Sequence, residues 1–342
     1  MKKIVIIGAG AMGSAFAVPC LDNKNDVTIV GTHLEDNLIE SINSNNHIHP
    51  ALKTQLPKEI KFERFEKLQN ILKQNIDIIV CGVSSVGIEW FVQQISKNYK
   101  KKTPIVLLTK GLSIVDNELS TLSDKIKNLL EKEGHSEINI SAIKGPCLAA
   151  GLANKMRTGT VIANKNLKEC QFLKETISTN YYSTEISEDI NGIELSGAIK
   201  NIYSMLIGAS EGLSNPKASK DIQSKYFLNT AASLIHRSIS EMVEFVSNYG
   251  GKAETVYGLA GLGDLYVSAI GGRNSLMGKY LGEGYLYNDA KEKFMKDITV
   301  EGAQLALEIG PRILEDLNSK NFPLMFSMLN TICENKKLEI NW

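Results

Sequence analysis

The chain has no surplus of charge of either sign, since 38 Lys and Arg residues balance 38 Asp and Glu residues among 342 positions. Proteins that bind nucleic acid or anionic membranes through their overall field carry an excess of basic residues. The composition therefore favours neither nucleic acid nor a membrane as partner. A site for an anionic ligand has to be a local concentration of positive charge.

Cysteine is also scarce, and none of the five cysteines forms a C-x-x-C pair. Scattered thiols in odd number are typical of a reducing compartment and predict neither disulfides nor a bound metal. We also expect no signal peptide, because a predicted strand begins at residue 3, and no apolar run is long enough to span a membrane. We therefore expect a cytoplasmic protein.

What the chain does have is an alternation of strands and helices in its first half. Short apolar, β-branched strands separated by helices predict a parallel sheet covered on both faces, that is, a Rossmann-type doubly wound α/β fold. The predicted strands comprise residues 3–7, 27–30, 78–83, 104–108 and 138–143, with two more at 158–163 and 182–186 that extend the sheet.

The second half is predicted to be helical. Apolar residues recur at helical spacing over 228–246, and residues 303–317 and 324–334 also have helical patterns. We place the boundary near residue 188, giving a dinucleotide-binding domain at 1–188 and a helical substrate-binding, catalytic domain at 189–342. The apolar surface of an extended helical half makes a homodimer our expectation.

A glycine motif follows the first strand directly. Gly8, Gly10 and Gly13 form G-x-G-x-x-G at the start of a helix. The first glycine permits the tight turn, the second lets the backbone approach a pyrophosphate, and the third lets helix and strand meet. At the first strand of an alternating α/β half, this motif predicts dinucleotide binding, with the backbone of Ala11 and Met12 completing the loop.

The end of the second strand leaves the choice between NAD and NADP open. It ends in Thr32 and His33, without the acidic residue that usually binds the adenine ribose of NAD. Glu35 and Asp36 follow, and we expect both to lie too far into the next loop for that role. Thr32 and His33 could accept the 2′-phosphate of NADP, although no Arg accompanies them.

Three further sites carry polar residues suited to a ligand. Lys110 follows a predicted strand at its carboxyl end, the edge where open α/β sheets bind ligands. On a helix, Lys200 and Asn201 lie near one face with small residues such as Gly208, which would admit either a ligand or a tightly packed helix.

The third site is a glycine-rich run that starts at Gly258 and continues through Asp264 and Ser268 to Arg273 and Asn274. A guanidinium beside an amide and backbone donors can make paired, charge-assisted hydrogen bonds to a small phosphate. Together with the cofactor motif, this run predicts a dehydrogenase of a small phosphorylated polyol.

Taken together, these motifs resemble the NAD(P)-dependent glycerol-3-phosphate dehydrogenase family over nearly the whole chain. The resemblance rests on the glycine loop, on the segments 109–111, 145–146, 194–201 and 258–274, and on Glu301 with Gly302. It implies a Rossmann-type domain followed by a helical domain, with the active site in the cleft between them. It also implies reversible hydride transfer between NAD(P)H and dihydroxyacetone phosphate, giving sn-glycerol 3-phosphate.

The resemblance also implies roles for individual residues. Lys200 is the catalytic lysine, with Lys110, Asp264 and Ser268 around it. The substrate phosphate is held by Arg273, Asn274 and Asn201, and Glu301 contributes to the cofactor site. No metal is implied.

The chain departs from the family pattern at one position. The run after Gly145 and Pro146 usually ends in Glu, and here it ends in Gly151. This leaves open a dehydrogenase for another small phosphorylated ketose. A protein that binds NAD as a sensor, without catalysis, is a further alternative, and the joint presence of Lys200, Asp264 and Arg273 argues against it.

Overall fold

A computed structural model describes residues 1–213, 221–222 and 227–340 of the chain. It divides the chain into a sheet unit, residues 1–110 and 122–190, and a helical unit, residues 111–121 and 191–342. The helical domain predicted from the sequence includes residues 214–220, 223–226 and 341–342, which lie outside the described part. Within the described residues, no helix is long and apolar enough to cross a membrane.

The sheet unit is built on eight strands: β1 Lys3–Ile7, β2 Asp26–Val30, β5 Lys61–Glu63, β6 Ile78–Cys81, β7 Ile105–Leu107, β10 Ile140–Lys144, β11 Thr158–Ala163 and β12 Tyr182–Ser187. Their spatial order across the sheet is β12, β11, β10, β7, β6, β1, β2, β5. Two short strands, β3 Ile48–His49 and β4 Thr54–Gln55, pair separately. The predicted doubly wound sheet is confirmed, and β5 is a strand that the sequence analysis missed.

One pairing departs from the predicted parallel sheet. Strands β10 and β11 are antiparallel, whereas β11 and β12 are parallel to each other. The 13 residues between β10 and β11 include only a five-residue helix, Ala149–Ala153, which is at the lower limit of the helical crossover that a parallel return needs. The two strands extend the sheet as expected, but they run against the direction of β10.

Helices cover both faces of the sheet. Alternate residues of β1 enter different cores: Ile4 and Ile6 pack on one face, while Val5 and Ile7 pack on the other. The helices of this unit are α1 Ala11–Asp22, α2 Asp36–Ser44, α3 Leu68–Leu72, α4 Ile88–Ser96, α5 Leu122–Lys132, α6 Ala149–Ala153 and α7 Leu167–Ile177. Burial on both faces explains why the strands are continuously apolar.

The helical unit is organised around α8, Ile190–Leu213, whose residues Ile199, Ile202 and Leu206 are fully buried in its core. Its other α-helices with at least eight described residues are α9 Leu228–Asn248, α10 Asp264–Gly271, α11 Arg273–Gly282, α12 Tyr287–Phe294, α13 Glu301–Asp316 and α14 Pro323–Cys333. A Cβ built at Gly208 of α8 would lie 2.2 Å from the carbonyl oxygen of Ser275. The small residue at 208 therefore admits a neighbouring helix, the second of the two readings that the sequence left open.

The helical unit also includes a β-hairpin from the first half of the sequence. Strands β8 Leu112–Val115 and β9 Glu118–Thr121 pair in antiparallel fashion. Asp116 and Asn117 connect them with φ of 51° and 65°, as a two-residue hairpin turn requires. Leu112 lies in the same buried core as α8. The boundary predicted near residue 188 assigned these two strands to the first domain, whereas they belong to the helical unit.

Candidate active site

The glycine loop of the sheet unit has two glycines fixed by packing and one that faces open space. Gly8 has φ of 109°, and a Cβ there would lie 2.8 Å from the carbonyl carbon of Gly82. A Cβ at Gly13 would lie 2.5 Å from the carbonyl oxygen of Gly8. At Gly10, by contrast, the nearest atom to a built Cβ is Glu35 Oε1, at 4.0 Å. Space for a ligand is therefore left beside the second glycine.

The start of α1 suits the pyrophosphate of a dinucleotide. Gly10 caps this helix without a side-chain hydrogen bond, and no acidic residue lies in its first turn. The backbone N–H groups that open the helix, at Ala11 and Met12, have no acceptor within the helix, and they form the positive end of its dipole. The residues present thus fit the diphosphate of NAD or NADP.

Glu35 lies closer to this loop than expected. Its Oε2 accepts hydrogen bonds from the backbone N–H of Ala9, at 3.0 Å, and from that of Thr32, at 2.8 Å. The prediction that Glu35 lies too far into the next loop is therefore wrong. A tight turn is the reason: the N–H of Glu35 donates to the carbonyl of Thr32, which folds the chain back toward β1. Asp36 points elsewhere and accepts from the N–H of Phe65.

Thr32 and His33, predicted to meet a 2′-phosphate, have other contacts. The hydroxyl of Thr32 accepts a hydrogen bond from the N–H of Leu34 at 3.3 Å. The ring of His33 packs 5.4 Å from that of Trp90 and 6.1 Å from that of Phe65, measured between ring centroids. His33 thus belongs to an aromatic cluster, and its role toward a cofactor stays a prediction.

Lys110 follows β7 at its carboxyl end, where the sequence placed it. The residue before it is anchored, because the Thr109 hydroxyl donates to the carbonyl of Val83 at 2.6 Å. Lys110 is the last residue of the sheet unit before the hairpin. Because the other predicted catalytic residues belong to the helical unit, its part in their chemistry stays a prediction.

Within the helical unit, Lys200, Asp264 and Ser268 come together. The Nζ of Lys200 lies 2.9 Å from Asp264 Oδ1 and also donates to the hydroxyl of Ser268. The two charged side chains are 4% and 3% exposed. Burial of an ion pair is weak evidence for a contribution to stability, because desolvation offsets the attraction between the charges. A buried lysine with two oriented partners is instead what a proton-transfer site needs.

Local sequence explains how Asp264 and Ser268 reach Lys200. Both lie on α10, one turn apart and hence on one face of the helix. A π-helical turn, Leu259–Gly263, leads directly into α10. Within that turn a Cβ at Gly261 would lie 2.0 Å from the carbonyl oxygen of Val256, so only glycine fits there. The glycines of this run thus shape the turn that positions Asp264.

Asn201 and Asn274, two predicted phosphate ligands, bind each other. The Nδ2 of Asn274 donates to Asn201 Oδ1 at 2.9 Å, and its Oδ1 accepts from the N–H of Gly302, also at 2.9 Å. Both amides are buried. This link joins α8, α11 and the start of α13, and the sequence analysis did not foresee it.

Arg273 extends toward solvent and pairs with Glu301. Its Nη2 lies 2.9 Å from Glu301 Oε1, and the two side chains are 54% and 46% exposed. The structure thus brings together a residue predicted to bind phosphate and one predicted to bind the cofactor. Spacing in the sequence gave no sign of this contact, because 28 positions separate the two residues.

Two family models match the chain. One describes the N-terminus of NAD-dependent glycerol-3-phosphate dehydrogenase and matches residues 3–170, and the other describes its C-terminus and matches residues 189–340. Together they cover both the glycine loop and the Lys200 cluster.

Similar proteins carry related names. The chain is 33% identical over 338 residues to an NADP(+)-dependent glycerol-3-phosphate dehydrogenase of Archaeoglobus fulgidus, covering 98% of this chain and 96% of that protein. It is 32% identical over 335 residues to a glycerol-3-phosphate dehydrogenase [NAD(P)+] of Mesoplasma florum, covering 96% and 93%. A crystal structure of glycerol-3-phosphate dehydrogenase from Coxiella burnetii matches with a TM-score of 0.79 at 25% identity, covering 98% of this chain and 96% of that one.

Proposed function

The chain belongs to the NAD-dependent glycerol-3-phosphate dehydrogenase family, and from that premise we propose that it interconverts dihydroxyacetone phosphate and sn-glycerol 3-phosphate with NAD or NADP. The buried contact of Lys200 with Asp264 and Ser268 is the observation that carries the mechanism. In this proposal the sheet unit binds the cofactor through the backbone of its glycine loop, and the helical unit supplies the chemistry.

Reduction of the ketone needs a proton donor at the carbonyl oxygen. The nicotinamide, when bound, supplies the hydride for reduction and accepts it in the reverse direction. As negative charge builds on the oxygen, the Lys200 ammonium stabilises it and donates a proton to form the hydroxyl. Asp264 compensates the charge of the ammonium and, with Ser268, fixes the direction of its N–H groups. The same lysine takes the proton back in the oxidation of sn-glycerol 3-phosphate.

Recognition of the phosphate is assigned to Arg273. A guanidinium can bind two phosphate oxygens at once, and that of Arg273 pairs with the carboxylate of Glu301 at the surface. Asn274 and Asn201 support this arginine, since their buried amides fix the start of α11, the helix that begins at Arg273. A phosphate dianion would compete with the Glu301 carboxylate for the guanidinium.

Gly151, which replaces the glutamate usual in the family, bears on the choice of substrate. A Cβ built there meets only Met156 Cβ, at 3.9 Å, so the missing acidic side chain leaves local space. We therefore keep, as a second candidate, the reduction of another small phosphorylated ketose.

We also propose a homodimer, which sedimentation at several protein concentrations would test.

A panel of phosphorylated ketoses tests the proposal. The purified protein is mixed with NADH or NADPH and with dihydroxyacetone phosphate, longer ketose phosphates, or unphosphorylated dihydroxyacetone. We expect dihydroxyacetone phosphate to give the highest kcat/KM, with sn-glycerol 3-phosphate as product. A higher value for a longer ketose phosphate would favour the second candidate, and failure to oxidise either cofactor would reject both.

A further inference from the structure

Glu35 connects the loops that follow the first two strands of the sheet. One carboxylate oxygen, Oε2, accepts from Ala9 N–H after β1 and from Thr32 N–H after β2. The other oxygen, Oε1, lies 4.0 Å from the position of a Cβ on Gly10. A side chain held by two backbone donors has little freedom to turn away. Its second oxygen is therefore fixed beside the open face of the glycine loop.

This position is where the adenine ribose of a dinucleotide is bound in such folds. An acidic residue there accepts hydrogen bonds from the ribose hydroxyls, whereas a 2′-phosphate needs an arginine or another cation. The segment 31–36 contains no Lys or Arg. On strand β5 and directly after it, Lys61 lies 2.7 Å from Asp26 and Arg64 lies 2.8 Å from Glu40, so a 2′-phosphate would have to displace a carboxylate to pair with either cation.

We infer that Glu35 makes this chain select NAD(H) over NADP(H), an inference that rests on the proposed dinucleotide-dependent function. The free oxygen of Glu35 accepts from the ribose hydroxyls of NAD(H). The same oxygen repels the 2′-phosphate of NADP(H), because like charges placed side by side in an interface disfavour binding. The backbone hydrogen bonds from Ala9 and Thr32 keep the carboxylate from swinging aside to relieve that repulsion.

Direct binding tests the inference without turnover. Calorimetric titration of the whole chain with NADH and NADPH gives both Kd values, for the wild type and for Glu35→Gln. We expect the wild type to bind NADH more tightly by on the order of tenfold or more. Removal of the charge in Glu35→Gln should reduce that preference by on the order of tenfold, mainly through tighter binding of NADPH.

Glu131→Gln is the matched control. It removes one carboxylate from the same unit, on α5, where that carboxylate pairs with Lys127 on the surface. The control should keep the preference of the wild type. Thermal melts of all three proteins establish that each is folded.

Two results would overturn the inference. One is a wild type that binds NADPH as tightly as NADH, and the other is a preference that Glu35→Gln leaves unchanged, in which case Glu35 only ties the two loops together. Both leave the proposed function intact if either cofactor is oxidised with dihydroxyacetone phosphate. If neither nucleotide binds to the folded protein, the proposed function fails instead.

Discussion

The sheet unit and the helical unit prepare their sites by different means. In the sheet unit the candidate cofactor site is made mainly of backbone, with Gly8 and Gly13 packed against neighbouring strand ends and Gly10 left open. In the helical unit the candidate reaction site is made of side chains, with Lys200 buried against Asp264. We therefore expect a larger side chain to damage the backbone site, and a truncated side chain to damage the side-chain site.

Removal of the Lys200 side chain should have the largest effect. We predict that Lys200→Ala lowers kcat by on the order of 10²- to 10⁴-fold, the range for a positioned proton donor, while the Kd for NADH stays the same. Steady-state kinetics and calorimetry measure the two quantities. Lys279→Ala is the control, because that lysine pairs with Glu211 at half-exposed positions. Activity within a few-fold of the wild type would make Lys200 a packing residue.

Addition of atoms at Gly10 should damage the sheet unit in the complementary way. Gly10→Val is expected to weaken NADH binding by on the order of 10²-fold, because the side chain occupies the space of the pyrophosphate. Gly10→Ala, with a smaller side chain, should lose less. Calorimetry gives the affinities and circular dichroism establishes that each variant is folded. Unchanged affinity in folded Gly10→Val would remove the cofactor from this loop.

Exchange of one cation for another separates phosphate recognition from positive charge. Arg273→Lys should raise KM for dihydroxyacetone phosphate by an amount equivalent to about 2–3 kcal/mol, as for a hydrogen bond to a charged group. The weak activity on unphosphorylated dihydroxyacetone should hardly change. Arg312→Lys, at an arginine that pairs with Asp316 on α13, serves as control. An equal loss on both substrates would mean that Arg273 supports the loop or the cofactor.

The smallest effect concerns a buried side chain away from both sites. Glu241 accepts from the N–H groups of Leu324 and Met325 and from the hydroxyl of Tyr203. Glu241→Ala leaves these donors without a partner, which should lower the free energy of unfolding by about 1–3 kcal/mol. Thermal denaturation measures the loss, and the Kd for NADH should not change. Glu244→Ala, on the same helix but at the surface, should be close to neutral.

The same residue gives a pH dependence. Burial raises the pKa of Glu241 above its ordinary value, more than its backbone hydrogen bonds lower it. The folded state therefore binds the proton of Glu241 more tightly than the unfolded state does. Protonation of Glu241 stabilises the folded state at low pH, and this contribution to the free energy of unfolding is lost as pH rises through the raised pKa. In Glu241→Ala that contribution to the pH dependence should disappear from the melting curves. If the melting temperature depended on pH in the same way in both proteins, this prediction would be contradicted.

Local patterns in the sequence predicted the fold better than they predicted the contacts within the sites. Apolar runs and the glycine motif act over neighbouring residues, and the doubly wound sheet followed from them. The contact between the Glu35 carboxylate and the N–H of Ala9, 26 positions away, depends on a turn in the chain after β2. Nothing in the local pattern marks that contact. The antiparallel pairing of β10 with β11 likewise depends on the direction in which β11 enters the sheet, which its own apolar pattern does not specify.

In the helical unit, the resemblance to the family predicted one set of contacts in the candidate site and missed two others. Lys200, Asp264 and Ser268 were expected together and are found together. The pairing of Asn201 with Asn274, and of Arg273 with Glu301, was not foreseen. Both pairs join residues on different helices. Their meeting depends on how α11 and α13 pack in the unit, which periodicity does not specify.

The central claim is that Lys200 acts in the chemical step while the sheet unit binds the cofactor independently of it. Stopped-flow measurement of a single turnover tests this most directly, with wild-type and Lys200→Ala protein each saturated with NADH before dihydroxyacetone phosphate is added. We predict the same NADH saturation curve for both proteins, and hydride transfer slower by on the order of 10²-fold or more in the variant. Hydride transfer at the wild-type rate in Lys200→Ala would contradict the account.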